Sequence, residues 1–179
     1  MEIRLQERKA LVQDYCKKHN RNADTVLGRD LSHFDVLRNR KVVYCFIPKV
    51  SSSHWKKQLS ALVQEDKQIH GGLKNSLSRF PRQEVEQKLK NYFTFLFIRD
   101  PMKRVLSAYK SEFMKDNKYF HRTYGRGIIK RYRPYATKQA LETGSGVTFP
   151  EFMRHVVETN SRDEHWQSFD RLFQPCAVL

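Results

Sequence analysis

Two apolar runs in this chain each end on a cation and then pass into helix-forming sequence. The first is Val42-Val43-Tyr44-Cys45-Phe46-Ile47, followed by Pro48-Lys49-Val50 and Ser51-Ser52-Ser53-His54-Trp55. The second is Phe93-Thr94-Phe95-Leu96-Phe97-Ile98, followed by Arg99-Asp100-Pro101 and running on through Arg104 to Ser107. Unbroken runs of β-branched and aromatic residues are the pattern of strands covered on both faces, as in a parallel sheet. A strand that feeds a turn and then a helix brings backbone N–H groups and the positive end of a helix dipole to one point. Two such strands in succession, each followed by a helix, predict an α/β sheet flanked by helices and a ligand with phosphates at both ends of a nucleoside.

The remaining segments fit around these two strands. Residues 1–20 read as an amphipathic helix with Ile3, Leu5, Leu11, Val12 and Tyr15 apolar, and residues 21–40 as a polar loop. A helix is expected from Ser53, with Trp55, Leu59, Leu62 and Val63 on one face. Residues 66–80 read as a polar loop holding His70-Gly71-Gly72, and Pro81 opens a short helix carrying Val85 and Leu89. Pro101 sits in the first turn of a helix with Val105, Leu106, Tyr109 and Phe113 at helical spacing. Residues 118–138 are rich in Tyr, Arg and Lys. Gly144-Ser145-Gly146 marks a turn, and Thr148 can cap a helix through Phe152, Val156 and Val157.

At 179 residues the chain is expected to form one domain with a real core. Its formal net charge of +15 points to a polyanionic partner, ahead of a basic surface kept for solubility. No apolar stretch is long enough to span a membrane, and Met1-Glu2-Ile3-Arg4-Leu5 does not begin a signal peptide. The chain is therefore expected to be cytosolic or the soluble part of a larger protein. Cys16, Cys45 and Cys176 are too few and too scattered for a zinc site or a disulfide framework. Cys45 reads as a core thiol, and a Cys16–Cys176 bridge is left open.

Each cationic turn has a bland alternative. Lys49 with Ser51, Ser52 and Ser53 reads as a phosphate cradle, or equally as a serine-rich helix start with a solvated lysine. Arg99 and Ser107 can face one anion, or Arg99 can simply pair with Asp100 or cap a neighbouring helix. Their occurrence in order on successive buried strands favours nucleotide binding. The first turn lacks the Gly-x-x-x-x-Gly-Lys pattern of a Walker A loop.

At these residues the chain resembles the sulfotransferases that use 3′-phosphoadenylyl sulfate (PAPS). It is most similar to Golgi carbohydrate sulfotransferases of the chondroitin 4-O-sulfotransferase type. Those carry a Pro-Lys-Val-Ala-Cys-Thr-Asn-Trp-type loop and an Arg-Glu/Asp-Pro-x-x-Arg-x-x-Ser-Ala-Tyr segment. The similarity extends to Tyr124-Gly125, Ile128-Ile129, Arg133 and Glu164-His165-Trp166. Departures are Ser51, Ser52, Ser53 and His54, where Ala, Cys, Thr/Ser and Asn are more usual.

The resemblance implies a P-loop-like parallel sheet in a single domain, 1–179. Residues 1–40 would form an N-terminal helix and loop, 41–115 a nucleotide-binding core, and 116–179 the acceptor side and C-terminal helices. It implies sulfuryl transfer from PAPS, without a metal, to a hydroxyl of an acidic, chondroitin- or dermatan-like glycan. Lys49 would stabilise the leaving phosphate. Val50, Ser51, Ser52, Ser53, His54 and Trp55 would line the 5′-phosphate loop, and Arg99, Arg104 and Ser107 the 3′-phosphate site. The base is expected to be His70, in the loop between the two motifs, ahead of His165. Arg122, Arg126, Lys130, Arg131 and Arg133 would meet the glycan, with Tyr124, Tyr132 and Tyr135 stacking on sugar faces. No nucleic-acid partner is expected. The resemblance also implies a Golgi-lumenal, type II membrane protein anchored outside this chain, and a C-terminally truncated end, since such proteins run on past Leu179. The rival readings are a nucleotide phosphotransferase, a nucleic-acid-binding module and a glycan-binding module without catalysis.

Overall fold

The computed structural model describes residues 2–18, 31–64, 76–161 and 163–168. The chain divides into two units: Met1–Ile47 with Ser51–Ile98 and Phe169–Leu179, and Pro48–Val50 with Arg99–Ser168.

The first unit holds helix α1 (Glu2–Lys18), strands β1 (Phe34–Leu37) and β2 (Val42–Cys45), helices α2 (Ser52–Gln64) and α3 (Arg82–Asn91), and strand β3 (Phe93–Leu96). Among the described residues the strands form one sheet in the order β1-β2-β3. β2 and β3 are parallel, with Val42 opposite Phe93 and Cys45 opposite Leu96. This is the expected pair. β1 was not expected: it lies within the segment read as loop and pairs antiparallel to β2, Phe34 opposite Cys45. The sheet is therefore mixed rather than wholly parallel.

Alternation along β2 separates two apolar layers, because successive side chains leave a strand on opposite faces. Val43 and Cys45 join Phe34, Val36, Leu77 and Val85 in one, with Leu89 and Leu96 packed against it. Tyr44 joins Leu37 and Leu59 in the other, packed by Trp55, Phe95 and Phe97. Cys45 is a buried free thiol, as read from the sequence. α2 and α3 thus cover opposite faces. Leu62 remains exposed, as do Leu11 and Tyr15 of α1, so α1 forms but does not bury the expected stripe on those two residues.

The second unit holds α4 (Pro101–Glu112), α5 (Lys118–Phe120), a π-helical turn (His121–Gly125), α6 (Arg126–Tyr132), α7 (Lys138–Thr143) and α8 (Phe149–Glu158). Pro101 opens α4 behind Asp100, whose side chain accepts from the Lys103 amide. Thr148 and Glu151 close a reciprocal capping box on α8, satisfying two amides that the helix leaves unpaired. Phe113, Phe120, Ile128, Ile129, Phe152 and Trp166 form the core. The π turn passes so close to Gly144 that a Cβ on Gly125 would lie 2.2 Å from the Gly144 carbonyl oxygen. Gly144 itself takes φ +74° as the cap of α7, a conformation glycine adopts at little cost. No helix among the described residues is long and apolar enough to cross a membrane.

Candidate active site

Lys49 sits in a turn whose backbone is forced. Lys49 has φ +69° and Ser51 φ +67°, left-handed values that cost a non-glycine residue about 1–3 kcal/mol each. Within the second unit two arginines hold the turn. Arg104 donates from Nε to the Pro48 carbonyl at 3.0 Å, and Arg99 from Nη1 to the Lys49 carbonyl at 3.3 Å.

The Lys49 ammonium is held by α4. It donates to Ser111 Oγ at 2.6 Å and pairs with the Glu112 carboxylate. Ser111 Oγ lies 3.0 Å from the Ser107 carbonyl, to which it donates, and Asn117 donates to the other Glu112 oxygen at 2.6 Å. Glu112 is buried. Burial pushes its carboxyl upward. Hydrogen bonds from Lys49 and Ser111, with the charges of Lys49 and His165, outweigh that and hold it below the usual range. Glu112 and Ser111 escaped the sequence reading, although Glu112 lies two turns from Arg104 and Ser111 one turn from Ser107 on α4.

Arg104 was expected at the nucleotide. It is instead buried at 2% exposure. Besides the Pro48 carbonyl it donates to the Gln167 carbonyl at 2.7 Å and the Glu164 carbonyl at 2.6 Å. Burial lowers its pKa to about 10, against the opposing charge of Glu164, so it stays charged at neutral pH. It fastens the Lys49 turn and the 164–167 turn to one point on α4.

Of the other expected donor-site residues, Arg99 is exposed and Ser107 half-buried. Val50 is buried; in the first unit Ser51, Ser53 and His54 are exposed and Ser52 is half-buried. Trp55 stacks on Phe97 with centroids 4.3 Å apart, which makes it a sheet-packing residue. His70 lies outside the described residues, as does Cys176.

Glu164 is the neighbour of His165 in sequence, but another carboxylate orients the ring. The carboxylate is that of Asp163, whose Oδ1 lies 2.6 Å from His165 Nδ1 and accepts the His165 amide at 2.9 Å. Tyr124 donates its hydroxyl to Asp163 Oδ2 at 2.9 Å. Burial raises the Asp163 carboxyl, but the bonds from His165 and Tyr124 prevail and keep it below its usual range. Burial and the bond to Asp163 push the Tyr124 phenol up to about 12.

The basic segment splits into two kinds of residue. Arg122, Arg126 and Lys130 are exposed at a spacing of one helical turn. Arg131 is exposed and lies over the Tyr132 ring at 5.6 Å. Arg133 forms a two-pronged pair with Glu151, at 2.7 Å on each prong, and donates to the Gly146 carbonyl at 2.8 Å. Tyr135 is fully open at 97% exposure. Among the described residues no group of three or more His, Cys, Asp or Glu side chains could hold a metal ion.

Within the second unit Lys49, Arg99 and Arg104 are thus tied together through the Pro48 and Lys49 carbonyls. The profile of the Sulfotransferase family matches residues 32–178. The chain belongs to the sulfotransferase family. It is 34% identical to human "Carbohydrate sulfotransferase 8" over 187 residues, covering 97% of this chain and 44% of that protein. It is 32% identical to rat "Carbohydrate sulfotransferase 11" over 194 residues, covering 97% of this chain and 55% of that protein. It is 39% identical to zebrafish "Carbohydrate sulfotransferase 14" over 157 residues, covering 83% and 42%. The chain spans about half the length of the curated relatives it matches. No solved structure matches.

Proposed function

We propose that this protein moves a sulfuryl group from PAPS to a hydroxyl of an acidic, chondroitin- or dermatan-like glycan, in the Golgi lumen as part of a larger anchored protein. The observation that carries the reading is the shared anchoring of Lys49 and Arg99. Arg99 bonds the Lys49 backbone carbonyl, which supports assigning both residues to one site within the second unit.

Lys49 is the charge that meets the phosphate oxygen as it departs. Ser53 and the amides around it hold the 5′-phosphate, and Arg99 and Ser107 the 3′-phosphate. Arg104 supports the site from behind by fixing the Lys49 turn. The acceptor proton passes to a histidine, His70 or His165. Arg122, Arg126 and Lys130 meet carboxylates or sulfates of the glycan. Transfer of this kind depends mainly on alignment and charge stabilisation.

Two measurements test the reading. The chain is expected to bind immobilised adenosine 3′,5′-bisphosphate and to be released by the free nucleotide. Incubation with labelled PAPS and a panel of desulfated glycans is expected to label an acidic glycan. Elution by salt alone, with no labelled product, would reduce the protein to a polyanion binder.

A further inference from the structure

We propose that Asp163, backed by Tyr124, is a positioning residue that makes His165 the base of the transfer; this rests on the sulfotransferase reading above.

The geometry is a three-member relay within the second unit. One Asp163 oxygen engages both the ring Nδ1 and the backbone amide of His165, at 2.6 and 2.9 Å. The other is occupied by the Tyr124 hydroxyl at 2.9 Å. A carboxylate tied at both oxygens cannot rotate away from the imidazole. The ring is braced on its side by Phe120, edge-on at 5.2 Å. The next residue, Trp166, is buried and anchored by its indole N–H to Ser161 at 3.1 Å.

Side-chain exposure is 12% for Asp163 and 24% for His165. The carboxylate is covered, while the ring keeps an opening. A proton held on Nδ1 by the carboxylate leaves the lone pair on Nε2. Arg104 donates to the carbonyls of both Pro48 and Glu164, so the turn that carries His165 is fastened to the same guanidinium as the Lys49 turn.

In the step itself the acceptor oxygen forms a bond to sulfur and its proton passes to His165 Nε2. The bond from sulfur to the bridging phosphate oxygen breaks, and its electron pair leaves on adenosine 3′,5′-bisphosphate. The imidazolium then returns its proton to water.

The test uses the full 179-residue chain with ¹⁵N-labelled histidine, in the parent and in Asp163→Ala, Asp163→Asn and Tyr124→Phe. The parent is expected to show His165 as the Nδ1–H tautomer, and Asp163→Ala a mixture. Turnover of labelled PAPS is expected to fall about 10- to 100-fold in Asp163→Ala, part of the 10²–10⁴ that a positioned base supplies. Its KM for PAPS should stay within about twofold of the parent. Asp163→Asn, which keeps an acceptor, should recover part of the loss. Tyr124→Phe, which removes only the hydroxyl, should lose less than Asp163→Ala.

An Nε2–H tautomer in the parent would overturn the proposal. So would unchanged turnover in folded Asp163→Ala, or equal losses of turnover and of adenosine 3′,5′-bisphosphate binding, the mark of a merely structural role. A parent that neither binds that nucleotide nor transfers sulfate would overturn the sulfotransferase reading first.

Discussion

Lys49 carries two jobs that a single substitution confounds. In the proposed reaction it is the cation opposite the departing phosphate, and as the partner of buried Glu112 it is needed for stability. Lys49→Ala leaves a buried carboxylate without its cation, a loss of about 3 kcal/mol. The variant is expected to lose turnover and to unfold at lower urea. Adding Glu112→Gln removes the stranded charge. That double variant should regain at least half the stability and none of the activity, as read by urea midpoints beside the labelled-PAPS assay. The pH dependence has a definite sign. Glu112 has a depressed pKa in the fold, so its contribution is complete above the ordinary carboxylate range and disappears as pH falls through the lowered value. The stability gap between parent and Glu112→Gln should therefore be open at neutral pH and close in acid. Asp35 has the opposite sign. Burial raises its carboxyl despite the Lys56 ammonium 3.4 Å away, and its ionised form opposes folding until pH falls through that raised value.

At the scale of elements, what could be read depended on whether the signal was local. β2, β3, α2, α3, α4 and α8 declare themselves through apolar runs, helical spacing and capping residues at their own ends. β1 does not: Asp35 interrupts Phe34-Asp35-Val36-Leu37, and its side chain is buried beside the Lys56 ammonium. The candidate site divides the same way. Lys49 and Arg99 draw notice by following strands, whereas Arg104 takes its place from the Pro48, Glu164 and Gln167 carbonyls, far away in sequence. Asp163 hides behind the more obvious Glu164. Tyr124, Gly125, Ile128, Ile129 and Arg133, which carry part of the family resemblance, serve packing and internal bonds. Gly125 makes this testable. Gly125→Ala forces a Cβ against the Gly144 carbonyl at 2.2 Å and is expected to cost about 1–3 kcal/mol or more. Gly127→Ala, two residues on in α6, meets nothing within 4 Å and is expected to gain about 0.5–1 kcal/mol from the stiffer unfolded chain. Thermal melts of the pair should move in opposite directions.

At the scale of the whole molecule the excess of +15 charges raises the local concentration of any polyanion, an effect that salt screens within about 8–10 Å. Net charge alone does not distinguish a binding face from a merely soluble surface. The arrangement of the cations gives a way to test it. Arg122, Arg126 and Lys130 recur every four residues on the outside of the α5–π–α6 segment and have no ion pair with another described residue, while Arg133 is engaged by Glu151. A chain of regularly spaced carboxylates or sulfates can meet the first three together, each contact contributing about 0.2–1 kcal/mol. Replacing all three with Ala is therefore expected to weaken binding of a chondroitin-type glycan about 3- to 100-fold at low salt and to flatten the dependence of affinity on ionic strength. Binding of adenosine 3′,5′-bisphosphate should remain within about twofold of the parent, since none of the three is assigned to the donor. Arg133→Ala should behave differently, losing thermal stability with the Glu151 pair while the salt dependence of glycan binding persists. Should the triple variant bind glycan with the parent's affinity and salt slope, the acceptor face lies elsewhere on the molecule and the basic segment is a solvated surface.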